Sequence, residues 1–153
     1  EPDMICFGKA IANGHPLAAL VGTDSLKEAA ESVYFTGTQF FSGPPMSAAL
    51  ATLNELEKLD APSLLIEYGK KLNSRLENAA SEKGFNLVAS GIPSMPYYRL
   101  EGVSFETHIK WIDECVKRGV YMLAYHNHFV SLAHTDEDID FIEAAAKQAF
   151  DNL

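Results

Sequence analysis

Phe7-Gly8-Lys9-Ala10-Ile11-Ala12-Asn13-Gly14-His15-Pro16-Leu17-Ala18-Ala19-Leu20-Val21-Gly22 is the stretch from which the rest of the chain can be read. Two short apolar runs, Met4 to Phe7 and Leu17 to Val21, flank a loop of small residues bounded by Gly, Asn and Pro. Runs of that length between such breakers predict buried strands joined by a tight turn. A single lysine, Lys9, stands where the first run ends. Desolvation at the mouth of a buried site makes a lysine amine a better nucleophile near neutral pH, which is what Schiff-base chemistry requires. Spacing alone leaves Lys9 open between that role and a solvated loop cation.

The bulk properties narrow the class. A chain of 153 residues is long enough for a domain with a real core. Its net charge of −9 argues against a nucleic-acid partner or an anionic membrane surface. No run approaches transmembrane length, so no membrane partner is expected. Cys6 and Cys115 sit in apolar settings without metal-ligand spacing, and read as free core thiols of a reducing, cytoplasmic compartment. The chain opens at Glu1-Pro2 without an initiator Met and enters a strand at once, which is expected of the C-terminal portion of a longer polypeptide.

After Gly22, Thr23 or Asp24 caps a short predicted helix carrying Leu26, Ala29 and Ala30. Val33-Tyr34-Phe35 reads as an aromatic strand entering the loop Thr36-Gly37-Thr38-Gln39-Phe40-Phe41-Ser42-Gly43. The loop's hydroxyls and free N–H groups suit a phosphate, and suit a plain connector equally well. A helix is predicted from about Pro45 to Leu59, with leucines at 50, 53, 56 and 59. A second starts near Pro62, has Leu64, Tyr68, Leu72, Leu76 and Ala80 on one face, and ends at a left-handed Gly84.

From Phe85 the period changes. Phe85 to Ala89 and Pro96 to Glu101 read as strands around a Gly/Pro/Ser turn. A helix with Phe105, His108, Ile109, Ile112, Cys115 and Val116 on one face follows and stops at Gly119, with His108 at its boundary and Trp111 in a core or interface. Val120 to Leu123 and Phe129 to Leu132 read as two more strands, and Thr135-Asp136-Glu137-Asp138 as a capped start of the last helix, bearing Ile139, Ile142, Ala146 and Phe150. The domains expected are therefore residues 1–84 and 85–153. His126 and His128 share a strand face near His134, but with no cysteine pair beside them no metal is expected, and they read as entrance lining or loop polarity.

Several of these segments together carry a family resemblance. Pro2-Asp3-Met4-Ile5-Cys6-Phe7-Gly8-Lys9-Ala10-Ile11, Asn13-Gly14-His15-Pro16-Leu17, Pro44-Pro45-Met46-Ser47-Ala48-Ala49-Leu50, and Ser131-Leu132-Ala133-His134-Thr135-Asp136-Glu137-Asp138-Ile139 resemble class III aminotransferases. These are fold-type I enzymes, and the nearest likeness is to glutamate-1-semialdehyde aminomutases. The resemblance implies an α/β fold: the end of the cofactor-binding large domain, then an α/β small domain. It implies pyridoxal phosphate as cofactor, held by Lys9 as a Schiff base, and amino-group transfer or migration on a small amino acid, oxo acid or amino aldehyde. It also implies a homodimer in which a loop threonine reaches the cofactor phosphate of the neighbouring subunit. Thr38 is the match for that threonine. Gly43-Pro44-Pro45 stands where the family more often has Gly-Asn-Pro, which leaves the register shared with Thr36.

The family's acid beside the pyridine nitrogen and its Gly-Ser phosphate loop lie before the lysine, so the resemblance covers the later part of that architecture. Ala124-Tyr125-His126-Asn127-His128 replaces the Pro-Ser-Gln-Phe-Glu type of segment and is about two residues shorter, which leaves the substrate open. The competing class is a protein that packs or dimerises through this surface and binds no cofactor.

Overall fold

The computed structural model describes residues 2–153. They form two compact units, Glu1–Asp60 and Ala61–Leu153, each with its own packing.

In the first unit β1 (Met4–Phe7) pairs antiparallel with β2 (Ala19–Gly22), Met4 opposite Gly22 and Phe7 opposite Ala19. The two apolar runs are strands, as the sequence predicts, but they are not buried. Ile5 is 40% exposed and Val21 47%. A two-stranded ribbon leaves both faces and both edges open, so alternation cannot hide either side. Cys6 is likewise exposed rather than a core thiol. A 3-10 turn, Lys9–Ala12, fills part of the connection and packs on α2 (Gly43–Lys58). Beyond β2 a 3-10 turn at Asp24–Leu26 runs into the short α1 (Lys27–Ser32).

Val33-Tyr34-Phe35 is not a strand. No strand among the described residues pairs with it, and the aromatic rings cluster instead: Phe35 meets Phe40 edge-on at 5.1 Å, and Phe40 meets Phe41 at 4.3 Å. Ser42 precedes α2, whose first turn holds Pro44 and Pro45 where a missing N–H does no harm. Only Pro45 and Ala49 of α2 are buried, and its leucines remain exposed.

The second unit is built from α3 (Ala61–Glu82), the hairpin β3 (Asn86–Ile92) and β4 (Met95–Glu101), α4 (Phe105–Lys117) and α5 (Asp136–Phe150). Helix α3 belongs with this unit, because Leu72, Leu76 and Ala80 join the same core as Leu87 and Leu100 of the hairpin and Ile139 of α5. The change of period at residue 85, used to divide 1–84 from 85–153, marks a helix-to-strand change inside one packed body. Trp111 is fully buried, stacks on Phe150 at 5.2 Å and donates its indole N–H to the Ala146 carbonyl. Gly84 and Gly119 take positive φ after α3 and α4, as helix-stop glycines do.

The stretches Val120–Leu123 and Phe129–Leu132 do not form strands. Residues 120–135 instead form an irregular connection, tied to the hairpin where His128 N–H donates to the Pro96 carbonyl of β4 at 2.7 Å and Val130 N–H to that of Ser94, in the β3–β4 turn, at 3.1 Å. Two such bonds fall short of a ladder. Helix α5 starts as the sequence predicts, with the Asp138 carboxylate accepting from Thr135 N–H at 2.7 Å.

Candidate active site

Strand β1 delivers the chain to Gly8, which is extended, and then to Lys9, which adopts φ 50. A left-handed conformation costs a non-glycine residue about 1–2 kcal/mol and persists only where the surroundings impose it. Here three successive backbone bonds impose it: Ile11 N–H to Gly8 O at 3.2 Å, Asn13 N–H to Ala10 O at 3.1 Å and His15 N–H to Ala12 O at 3.1 Å. Asn13 (φ 44) and Gly14 (φ 99) close the turn. Ala12 is fully buried where the turn packs on α2, and Ala49 of α2 is nearly so. Small residues allow that close approach, and the turn becomes a rigid base for Lys9.

The Lys9 side chain is exposed, so residues 2–60 alone do not provide the desolvation that the sequence reading assumes. Among the described residues no carboxylate pairs with it. Thr38 and Thr36 are also exposed, on the loop that enters α2. That loop is tightened by Phe40 N–H to Gly37 O at 3.0 Å and Ser42 N–H to Gln39 O at 3.2 Å, with Phe41 at φ 63. The turn bearing Lys9 therefore lies on the helix that the Thr38 loop enters, while no hydrogen bond joins the two side chains. A free primary amine on a rigid turn, and a hydroxyl-rich loop ahead of a helix, fit an aldehyde and a phosphate as chemistry.

Two clefts among the described residues lie away from Lys9. One, of about 230 Å³, is lined by Met4, Leu20, Leu26 and Ala30 at the end of the ribbon remote from Lys9. The other, of about 120 Å³, lies in the second unit among Leu72, Tyr98, Met122, His128 and His134.

The histidines of the second unit are knit into its backbone rather than gathered into a ligand set. His126 Nδ1 donates to the Asn127 carbonyl at 2.8 Å. His128 packs on Tyr98 with ring centres 5.2 Å apart, and burial lowers its pKa from the ordinary value. His134 stacks on Tyr68 at 5.8 Å. His108 is not at a boundary but fully buried, its pKa lowered by burial and then by the Arg99 charge. Its place between Phe105 and Ile112 on the apolar face of α4 was the available signal. The Arg99 guanidinium lies 4.8 Å over the Phe105 ring, a contact that sequence spacing does not reveal. Burial raises the Cys115 thiol to about 12 and keeps it unreactive.

The class III aminotransferase family model matches residues 1–149. Aminopentol aminotransferase of Sphingopyxis macrogoltabida is 36% identical over 98% of this chain, which spans 36% of that protein. Glutamate-1-semialdehyde 2,1-aminomutase of Methanopyrus kandleri is 31% identical over the whole chain, which spans 39% of it. Among solved structures, the pyridoxal-phosphate internal aldimine form of the FumI protein of Sphingopyxis sp. MTA144 superposes with a TM-score of 0.94 at 36% identity, over 99% of this chain and 37% of that one. The fold is the α/β fold of these enzymes, and the chain spans well under half the length of the relatives it matches. The chain belongs to the class III aminotransferases.

Proposed function

We propose that the protein uses pyridoxal phosphate to transfer an amino group between small amino and oxo compounds, with Lys9 as the residue that holds the cofactor. The observation that carries this reading is Lys9 itself: an amine that pairs with no carboxylate among the described residues, fixed at φ 50 on a turn that three backbone bonds and a buried alanine make rigid. Bound pyridoxal phosphate supplies an electron sink for the bond broken at the substrate's amino-bearing carbon. Lys9 Nζ would hold the cofactor through its aldehyde carbon, and its amine, when free, would carry a proton to and from the substrate. A positioned base of this kind contributes about 10²–10⁴-fold. Thr38 donates its hydroxyl to the phosphate.

Transfer is favoured over migration by the greater identity to the aminopentol aminotransferase than to the aminomutase, 36% against 31%. The intact protein is proposed to be a cytoplasmic homodimer. Phe35 and Phe41 are 72% and 78% exposed in this unit, a surface that a second copy would cover.

Borohydride reduction of the intact protein loaded with pyridoxal phosphate, followed by peptide mass analysis, tests the assignment. The reading requires the added mass on the peptide containing Lys9, and its loss in Lys9→Ala. A label on another lysine, or none, overturns it. Product formation that requires an added amino donor supports transfer, and turnover without one supports migration.

A further inference from the structure

Burial in the first unit is confined to one contact. Among its described residues three are buried: Ala12 of the Lys9 turn, and Pro45 and Ala49 of α2. The Lys9–Ala12 turn is the element that packs on α2, so these are the two sides of the same contact. Pro45 and Ala49 stand four residues apart and share one face of the helix, flanked by the half-buried Ala48 and Thr52. Every side chain of that face is short. No flexible chain cushions the turn, and the separation of the two backbones is set by methyl groups and a proline ring.

We propose that Ala12 is a positioning residue for Lys9: its methyl, buried where the turn meets the Pro45/Ala49 face, sets where the turn lies on α2 and hence where Lys9 Nζ stands against the cofactor's aldehyde carbon. The inference rests on the reading that Lys9 holds pyridoxal phosphate.

The backbone of the turn gives this contact its reach. Lys9 is held at φ 50 by bonds within the turn, and Ala12 takes part in them, its carbonyl accepting from His15 N–H at 3.1 Å. Those bonds fix the shape of the turn, while the contact with α2 fixes its place. A displacement at Ala12 is therefore carried to Lys9 instead of being absorbed between them. A valine at position 12 adds two methyl groups at a fully buried point and pushes the turn off the helix. Misplacing a reacting group by about 1 Å costs about 10²-fold in rate.

The rate at which added pyridoxal phosphate attaches to the intact apo-protein, trapped at intervals with borohydride, tests this. The affinity for pyridoxine phosphate is measured beside it, because that compound has the ring and phosphate but no aldehyde for an amine to attack. Ala12→Val should slow attachment at Lys9 about a hundredfold and leave the pyridoxine phosphate affinity as in the wild type. Adding Ala49→Gly to Ala12→Val returns space to the contact and should restore most of the rate. If Ala12→Val does not fold, Ala49→Val presses on the same contact from the helix side. Gly69→Ala, expected to destabilise the second unit, is the control for lost stability and should attach the cofactor at the wild-type rate. Wild-type attachment in whichever valine variant folds overturns the proposal. So does a joint loss of attachment and pyridoxine phosphate affinity, or a slowing in Gly69→Ala equal to that in the valine variant. A wild type that is not labelled at Lys9 overturns the cofactor assignment and this inference with it, whereas the other outcomes leave that assignment standing.

Discussion

Arg75 on α3 divides one guanidinium between two acids a helical turn apart on α5, donating through Nη2 to Asp140 at 2.6 Å and through Nε to Glu143. Lys71–Asp136, Lys147–Glu82 and Lys83–Asp151 extend the row, so the two helices run side by side in the same direction. Exposed pairs contribute little one at a time and are screened by salt. Their collective effect is on the alignment of α3 with α5. The melting temperature of the chain should therefore drop as sodium chloride rises from about 0.05 to about 0.5 M. Arg75→Met should lower it at low salt and reduce the salt response. A salt-independent melting temperature would remove this role.

Gly69 sets how closely α3 approaches the β3–β4 turn. A Cβ placed there would lie 2.0 Å from the Pro93 carbonyl oxygen and 2.9 Å from the Ser94 nitrogen, both backbone atoms. Helix propensity favours Gly69→Ala by about 1 kcal/mol. Forcing the hairpin away is expected to cost about 1–3 kcal/mol and more than cancel that gain. Urea denaturation should show a lower midpoint for Gly69→Ala, and a raised midpoint would mean that the turn yields freely.

What could be read in the sequence was what neighbours in the chain decide. The Thr135–Asp138 cap, the Gly84 stop and the Leu72/Leu76/Ala80 face each depend on residues within a turn or two, and the structure has all of them. Val120–Leu123 has strand composition yet remains irregular, because a strand needs a partner strand to bond with: Val120 N–H donates back to the Cys115 carbonyl at the end of α4 and Leu123 N–H to the His128 ring. The apolar runs around Lys9 implied burial, which depends on what covers a ribbon rather than on the ribbon's own residues. Lys9 drew attention as a lone cation after a strand, but its assigned chemistry came from the family likeness. Its left-handed backbone could not be anticipated, since nothing in a lysine favours positive φ.

Glu114 predicts the shape of the acid limb. Its carboxylate accepts from Lys117 and from Arg118 Nη1, both at 2.6 Å, and from Asn152 at 3.1 Å. Lys117 first and Arg118 second hold its pKa down at about 2. A depressed carboxylate contributes stability that is complete above its ordinary value of 4.5 and lost as the pH falls towards about 2. Glu82, lowered by Lys147, acts in the same sense. Stability measured against pH should fall through that window in the wild type and less steeply in Glu114→Gln. An unchanged slope would show that the pair is not formed in solution.

The loop threonine gives the sharpest test of the proposed shared site. Thr38 is exposed, makes no side-chain bond among the described residues and carries no core packing, so Thr38→Ala should leave the fold intact. If its hydroxyl grips a phosphate, the variant should hold pyridoxal phosphate more weakly by roughly 1.5–3 kcal/mol, the contribution of a hydrogen bond to a charged group. Dialysis of the intact, cofactor-loaded protein measures that directly, with Thr36→Ala run beside it to decide the register. Lys9→Ala should instead abolish covalent attachment while leaving part of the phosphate affinity. The aromatic group of Phe35, Phe40 and Phe41 beside this loop ties the prediction to assembly, since its exposed rings need a partner surface. Sedimentation of the intact protein should report a dimer, and Phe41→Ser should loosen both the dimer and the cofactor. A monomer that retains cofactor as tightly as the wild type would sink the shared site and leave the role of Lys9 standing.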